Sequence, residues 1–226
     1  MAQLKRHISY RSIRPEDFKF LEDIITETWW SDRWGREAGL SRAFARAYLN
    51  SCLSQGSFSR VALAGGRPVG LIIGRSGPKP PAPSPRRRLA LFHSQARLMS
   101  YPSGRRLGRS FHQWGQADAA MLRACKRSFD GELILLVTAR EARGLGIGTG
   151  LLKRLFCYFR KTGVRRFFLF TDSKCSYSFY DRRGFKRLAQ CRKTFPPAIP
   201  WPVSLFLYEY DLTRPDPVSP GEPVPA

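Results

Sequence analysis

The chain has 226 residues, and 42% of them are hydrophobic, which is enough for a folded core and argues against a wholly disordered protein. Its 39 Lys and Arg against 17 Asp and Glu give a formal net charge of +22, which favours anionic partners such as nucleic acid, an anionic membrane or phosphorylated small molecules. An arginine-rich composition without functional meaning explains the charge equally well. No apolar run approaches the roughly 20 residues of a membrane-spanning helix. The N-terminus has no apolar signal core, so a cytoplasmic protein is expected.

The five cysteines do not form a pattern that indicates a disulfide framework or a zinc site. They are odd in number and scattered, with no CxxC pair and no accompanying histidine. No metal site is therefore expected. Cys157 and Cys175 also lack a histidine that would activate a nucleophile, so we expect packing roles for them and for Cys52, Cys125 and Cys191.

The first third of the chain predicts a strand, two helices and a hairpin. Alternating apolar and polar residues at 7–13 suit a strand. Pro15, followed by two acidic residues, suits the start of a helix, and a second helix is predicted from Ser41. Two short strands at 58–63 and 68–73 are joined by a glycine-rich turn.

Residues 75–130 differ in composition and predict a basic, partly helical insertion, because they carry too few apolar residues for a core of their own. A proline-rich link opens the segment. A short basic amphipathic helix is then predicted from residues that share one face, namely Leu89, Phe92, Ala96 and Met99. A turn is predicted at 101–104 and a further helix at about 117–128.

The second half of the chain predicts alternating strands and helices. Strands are predicted at 132–138, 165–171 and 204–212, and a helix follows the first of them to about residue 162. A short helix is predicted within 174–183. The proline-rich tail, residues 213–226, is expected to be disordered.

The stretch ARGLGIGTGLLKRL at 142–155 places four glycines where a helix begins, although each glycine weakens a helix by about 1 kcal/mol relative to alanine. A strand, a glycine-rich turn and a helix start form a phosphate-binding site, because the first helical N–H groups are unsatisfied and the helix dipole favours an anion. The P-loop pattern fails after Gly148, and the GxGxxG fingerprint fails at Thr149. The pattern that matches is R-x-x-G-x-G, formed by Arg143, Gly146 and Gly148.

This pattern resembles the coenzyme A pyrophosphate signature of the GCN5-related N-acetyltransferase (GNAT) superfamily. A second segment, FYDRRGF at 179–185, is similar to the family's Y-x-x-x-G-F motif, and both motifs follow in the family's order across residues 131–188. The resemblance is greatest to an uncharacterised bacterial group with a long mid-chain insertion. It implies a single GNAT domain over residues 1–212. The implied fold is α/β, with a mixed central sheet flanked by helices in the order β-α-α-β-β-(insertion)-β-α-β-α-β-β.

The resemblance also implies which residues bind acetyl-CoA, the expected co-substrate. The pantetheine arm is expected to lie along the strand at Val137 and Thr138. The pyrophosphate is expected on the backbone of Arg143, Gly144, Leu145, Gly146, Ile147, Gly148 and Thr149. Ser173 stands where the family often has an asparagine that contacts the cofactor, and it is expected to reach less far.

Two residues are expected to carry direct acetyl transfer to a primary amine. Tyr180 is the candidate general acid for the leaving thiolate, because its usual pKa of about 10 keeps it protonated. Glu132 is the candidate general base, since burial would raise its pKa and its spacing from Arg143 is that of the catalytic glutamate in the histone acetyltransferase branch. A structural role for Glu132 at the edge of a loop, with a water chain as the base, is the alternative.

Two other functions stay open from the sequence alone. The insertion combines basic and aromatic residues, which also fits a nucleic-acid-associated protein, including an enzyme that acetylates an RNA-linked amine. A catalytically inactive acyl-CoA sensor is the other alternative. The positive charge mildly favours a neutral or anionic acceptor, and the insertion is expected to cover the acceptor site. The acceptor itself and the oligomeric state are not readable from these patterns.

Overall fold

The computed structural model describes residues 8–30, 35 and 37–214, which form a seven-stranded sheet flanked by helices. The strands are β1 Ile8–Arg11, β2 Phe58–Ala64, β3 Arg67–Ser76, β4 Gly131–Thr138, β5 Arg166–Asp172, β6 Lys186–Phe195 and β7 Ile199–Asp211. The helices are α1 Phe18–Trp29, α2 Leu40–Gln55, α3 Pro85–Met99, α4 Pro102–Ala124, α5 Ile147–Lys161 and α6 Ser178–Asp181. The sheet order is β1-β2-β3-β4-β5-β7-β6, and only β4 and β5 pair in parallel. The predicted fold class and order of elements are confirmed.

Several strands begin or end at residues other than those predicted. β1 covers four residues, while His7, in the predicted strand, and residues 215–226 of the tail lie outside the described residues. β7 begins five residues earlier than the pattern indicates. Periodicity alone does not locate β6, because this strand lies at the edge of the sheet and its sequence, KRLAQCRKTF, is mostly polar and exposed. None of the described helices combines the length and apolar character needed to cross a membrane.

The segment 75–130 contributes two helices that are packed into the rest of the fold. On α3, Arg87 Nη1 donates to the carbonyl oxygen of Leu53 on α2 at 3.1 Å. On α4, the buried Ser110 hydroxyl accepts a hydrogen bond from the Ala198 N–H at 3.0 Å. α4 therefore extends from the side of α2 to the start of β7.

The predicted apolar face of α3 is not the face that packs. The side chains of Leu89 and Phe92 are 56% and 66% exposed, whereas Ser94 and Leu98 are buried. The helix is positioned by polar contacts with α2 and by its junction with α4, so the regular apolar spacing does not select the buried side. The predicted helix is present, and the face with Leu89 and Phe92 is exposed.

The predicted turn at 101–104 is in fact the start of α4, and the helix predicted at 117–128 is only its second half. Pro102 occupies the first helical turn, where its missing N–H has no cost. Gly104 serves close packing, because a Cβ at this position would overlap the carbonyl oxygen of Leu98 at the end of α3. The glycine thus allows the two helices to meet.

We expect Gly104→Ala to lower the free energy of unfolding by about 2 kcal/mol, because the added methyl group meets backbone that cannot move cheaply. Gly115→Ala on the same helix is the matched control. A Cβ at Gly115 meets nothing within 4 Å, so this change should stabilise by about 0.5–1 kcal/mol through helix propensity. Urea unfolding measures both, and equal effects of the two substitutions would contradict the packing role of Gly104.

Candidate active site

β4 and β5 diverge shortly after they begin, which opens a cleft in the middle of the sheet. Their parallel pairing is limited to Gly131 with Phe167 and Glu132 with Phe168. β3 remains paired with β4 along the whole strand. The edge of β4 that faces β5 therefore presents peptide groups from residue 133 onward that have no strand partner among the described residues. Such groups need hydrogen-bond partners, and an extended ligand can supply them.

A β-bulge lies where the two strands separate. Gly74 and Ile73 of β3 lie opposite Leu133 and Leu135 of β4, which leaves Ile134 as the extra residue. A bulge bends a strand and re-aims its side chains, and bulges are frequent beside active sites. Here the bulge follows Glu132 by two residues, so it accompanies the change in direction of β4.

The cleft continues into a single cavity of 2190 Å³ that brings most of the predicted site residues together. Its walls include both candidate catalytic residues, Glu132 and Tyr180. They also include most of the residues predicted to bind acetyl-CoA, namely Val137, Thr138, Arg143, Gly144, Gly146, Ile147, Gly148 and Thr149. Leu145 and Ser173 do not line this cavity.

The glycine-rich turn has a backbone shape that suits an anion. Gly144 and Gly146 have φ angles of 79° and 78°, and a Cβ at either would meet nothing within 4 Å. These positive angles require glycine, and the space beside them is open. Gly146 is the N-cap of α5, and no side chain caps this helix start. The first N–H groups of α5 are therefore available to a phosphate.

The other two glycines of the stretch serve packing. A Cβ at Gly148 would approach the ring of Phe179 to 3.2 Å, and a Cβ at Gly150 would overlap the hydroxyl of Tyr10. Arg154 stacks on the Tyr10 ring, with its guanidinium carbon 3.5 Å from the ring centroid. The dense run of glycines therefore combines an anion cradle with two close contacts between elements.

Arg183 is a cation at this turn that the sequence patterns do not single out. Its Nη2 donates a hydrogen bond to the Thr149 hydroxyl, and its guanidinium lies 3.7 Å from the centroid of the Phe179 ring. Burial and the neighbouring Arg182 lower its pKa, but arginine remains protonated at neutral pH. The only signal in the sequence is its place among the variable positions of the Y-x-x-x-G-F motif.

Glu132 forms a largely buried ion pair with Arg75, its register partner on β3. The distance from Arg75 Nη2 to Glu132 Oε2 is 2.5 Å. Burial raises the pKa of Glu132, and the charge of Arg75 offsets part of the rise. Glu132 is the second residue of β4, close to the loop at Asp130, and it pairs with both β3 and β5. The alternative of a structural role stays a prediction. Arg75, in an apolar strand, is not identified by any sequence motif.

Tyr180 lies on α6 with its ring packed edge-on against Phe179 and Phe185, at centroid distances of 5.3 Å. Burial, followed by the nearby Cys175 and Tyr208, raises the pKa of its hydroxyl above the ordinary value. The hydroxyl therefore stays protonated at neutral pH and remains a proton donor.

Ser173 points away from the cavity. Its hydroxyl accepts a hydrogen bond from the Ser204 N–H at 3.2 Å, and its own N–H donates to the Ser204 carbonyl at 2.9 Å. These contacts fasten the end of β5 to β7. The Ser173 hydroxyl is therefore bonded to β7, and Ser173 does not line the cavity where the co-substrate is expected.

Comparison with known proteins assigns this arrangement to a family. The model of the acetyltransferase (GNAT) family matches residues 21–185. The chain belongs to this family. Membership identifies the protein as an acyltransferase with acetyl-CoA as its co-substrate, in agreement with the glycine cradle. No curated protein shows significant sequence similarity to the chain.

Solved structures share the fold at low sequence identity. One is a polyamine N-acetyltransferase of Drosophila melanogaster, with a TM-score of 0.56 and 15% identity over 91% of this chain and 100% of that chain. A protein of Pyrococcus horikoshii matches with a TM-score of 0.55 and 16% identity, over 91% of this chain and 99% of that chain. The yncA protein of Salmonella typhimurium was solved with its cofactor acetyl-CoA. It matches with a TM-score of 0.50 and 16% identity, over 91% of this chain and 94% of that chain.

Helix α4 contributes a wall of the acetyltransferase cavity that no motif predicts. Phe111, Trp114 and Asp118 of this helix line the cavity. Phe111 contacts Phe44 of α2 at a centroid distance of 5.5 Å, and Trp114 stacks on Phe195 of β6 at 4.9 Å. The helix therefore spans the cavity between α2 and the last two strands.

We expect Arg75→Met to lower the free energy of unfolding at pH 7 by about 3 kcal/mol, because Glu132 would remain buried without its cation. Adding Glu132→Gln to this variant should restore more than half of the loss, since the unpaired charge is removed. Chemical denaturation measures both variants.

The exposed pair of Arg14 and Glu16 supplies the control, because both side chains are more than 60% exposed. Arg14→Met should change stability by less than about 0.5 kcal/mol. Similar losses of unfolding free energy for Arg75→Met and Arg14→Met would show that the buried Arg75–Glu132 pair contributes no more to stability than the exposed pair.

Proposed function

We propose that the protein is an acetyl-CoA-dependent N-acetyltransferase that transfers the acetyl group directly to a primary amine. The observation that carries the proposal is the single cavity that joins an open glycine cradle, the unpaired edge of β4 and two groups suited to proton transfer. The nucleic-acid alternative rests on composition alone. The inactive-sensor alternative does not explain why Glu132 and Tyr180 line the same cavity.

Binding of acetyl-CoA uses backbone groups at two places. The pyrophosphate fits the open N–H groups at the start of α5, where Gly144 and Gly146 leave room for its oxygens. Arg143 and Arg183 supply charge at the same turn. The pantetheine arm fits beside Val137 and Thr138, whose strand has no partner on the β5 side. The Salmonella protein with the same fold was solved with its cofactor acetyl-CoA, which supports acetyl-CoA as the co-substrate.

The bound co-substrate supplies an activated acetyl thioester, and the residues of this chain manage the protons. In the net reaction a C–N bond forms, the C–S bond breaks, the amine loses a proton and the leaving thiolate gains one. Glu132 takes the amine proton, directly or through water, since burial raises its pKa above the ordinary value and makes it a stronger base. Tyr180 donates to the thiolate, because its hydroxyl is held protonated. Exchange with solvent then restores both groups.

The acceptor enters beside α4. This helix, the end of α1 and one face of α2 line the cavity, in addition to the glycine cradle. We therefore assign to the segment 75–130 the role of enclosing the acceptor, as the sequence predicts.

Titration calorimetry with acetyl-CoA tests the cradle. We expect Arg183→Ala and Arg143→Ala each to weaken binding about tenfold, because each removes a charged donor near the pyrophosphate. Arg88→Ala, an exposed arginine of α3 outside the cavity, should leave the dissociation constant unchanged. Equal losses for all three would mean that net charge alone attracts the co-substrate.

We expect Tyr180→Phe to lower kcat at least tenfold while the dissociation constant for acetyl-CoA stays within twofold, because the change removes the proton donor and keeps the packed ring. Steady-state kinetics with a primary amine and calorimetry give the two values. Tyr177→Phe, on the same short segment and outside the cavity, serves as the control. An unchanged kcat would remove Tyr180 from the mechanism.

A further inference from the structure

The part of the cavity next to α4 is walled by aromatic rings in continuous contact. The ring centroids of Trp29 and Tyr48 are 5.4 Å apart, and Tyr48 stacks on Phe44 at a centroid distance of 5.9 Å. The centroids of Phe44 and Phe111 are 5.5 Å apart. Phe111 in turn stacks on Trp114 at 6.2 Å. All five rings line the cavity. We call this region, with the carboxylates described next, the aromatic chamber. Aromatic faces attract cations that have lost part of their water.

Asp118 projects into the aromatic chamber from α4 without a cation. Its Oδ1 is buried and has no hydrogen-bond partner among the described residues, and no ion pair joins it to a described Lys or Arg. A buried carboxylate oxygen in this state is costly unless a ligand satisfies it. The unsatisfied oxygen marks a place for a positively charged group.

Two further carboxylates act on Asp118. Burial, and then the charges of Asp172 and Glu132, raise the pKa of Asp118 to about 7. A hydrogen bond with the side chain of Trp114, one helical turn earlier, offsets part of this rise. Asp172, at the end of β5, is itself buried, and its Oδ1 accepts a hydrogen bond from the Lys174 N–H at 2.7 Å. Two buried carboxylates thus act on the pKa of Asp118. No group of three or more acidic, His or Cys side chains among the described residues is placed to hold a metal ion.

Several cations of the cavity wall have other partners or lie at other places in the cavity. Arg75 is paired with Glu132, and Arg183 lies at the glycine cradle. Lys174 lowers the pKa of Asp172 but does not act on that of Asp118. Arg109, also on α4, is nine residues from Asp118, which is about 13 Å along the helix axis. Asp118 therefore has no ion-pair partner among the residues that the structure describes.

We propose that the acceptor is an amine carrying a second positive charge, and that Asp118 binds this distal charge while the reacting amine lies at Glu132. The inference rests on the proposed function. The charge would lie between the Asp118 carboxylate and the aromatic rings, a setting that combines an ion pair with cation–π attraction. The carbon chain between the two amines would cross the apolar wall. The proposal reverses the expectation of a neutral or anionic acceptor that the net charge suggests.

Three acceptors of equal chain length test the proposal, because they differ only in the distal group. These are 1,4-diaminobutane, 4-aminobutan-1-ol and 4-aminobutanoate, with a positive, neutral and negative end. With the full chain and saturating acetyl-CoA, we expect kcat/KM to fall in that order, with the diamine at least tenfold above the alcohol. The release of free thiol and the mass of the product report transfer.

Asp118→Asn should lower kcat/KM for the diamine at least tenfold, mainly through KM, and leave the value for the amino alcohol within twofold. Asp118→Glu should restore part of the preference, because it keeps the charge. Asp23→Asn, an exposed residue of α1 outside the cavity, should change neither value. A misfolded variant would lose activity with both acceptors, so the ratio between them isolates the role of the charge.

Two results would overturn the inference and leave the proposed function intact: equal wild-type kcat/KM for the diamine and the amino alcohol, or equal losses for both acceptors in Asp118→Asn. Binding of acetyl-CoA without transfer to any of the three acceptors would overturn the inference alone, whereas absence of acetyl-CoA binding would overturn the proposed function as well.

Discussion

The site depends on the separation of β4 and β5 after only two paired positions on each strand. Backbone N–H and C=O groups inside a protein need hydrogen-bond partners, and a strand in the middle of a sheet normally finds them on both neighbours. Here one edge of β4 is left for a ligand. The bulge at Ile134 accompanies the change of direction, and the Arg75–Glu132 pair lies at the point of separation. The sheet thus supplies the floor of the cavity and places an acidic side chain at its narrow end.

The rest of the cavity comes from elements on both sides of this opening. On one side, the glycine-rich turn leaves the first N–H groups of α5 open to an anion. Arg183, which follows α6, donates a hydrogen bond to Thr149 at the same turn. On the other side, α4 covers the region between α2 and the last strands. The two sides differ in chemistry. Backbone donors and arginines line the first, whereas the second adds aromatic rings and carboxylates to Arg105 and Arg109 of α4. This division matches a reaction between an anionic co-substrate and a cationic acceptor.

Net charge describes the chain as a whole and does not describe this cavity. The formal charge of +22 attracts anions over the whole surface, and the glycine cradle is consistent with that attraction. The aromatic chamber has a different local balance. Asp118 has no cationic partner among the described residues, the charge of Asp172 raises the pKa of Asp118, and Asp118 raises the pKa of Cys191. At distances of a few ångströms in a poorly solvated region, such local charges outweigh the average of a screened surface.

The sequence by itself determined the α/β class, most of the helices and strands, the phosphate-binding turn and the resemblance to the acetyltransferases. These features depend on local information, such as period, glycine placement and motifs within about a dozen residues. Only the tertiary structure decided that α3 exposes Leu89 and Phe92, that Ser173 binds β7, and that Arg75, Arg183 and Asp118 join the site. Arg183 and Thr149 are 34 residues apart, and Ser173 and Ser204 are 31 apart. Contacts of this kind follow from the order of strands in the sheet and the path of the inserted helices, which local periodicity does not encode.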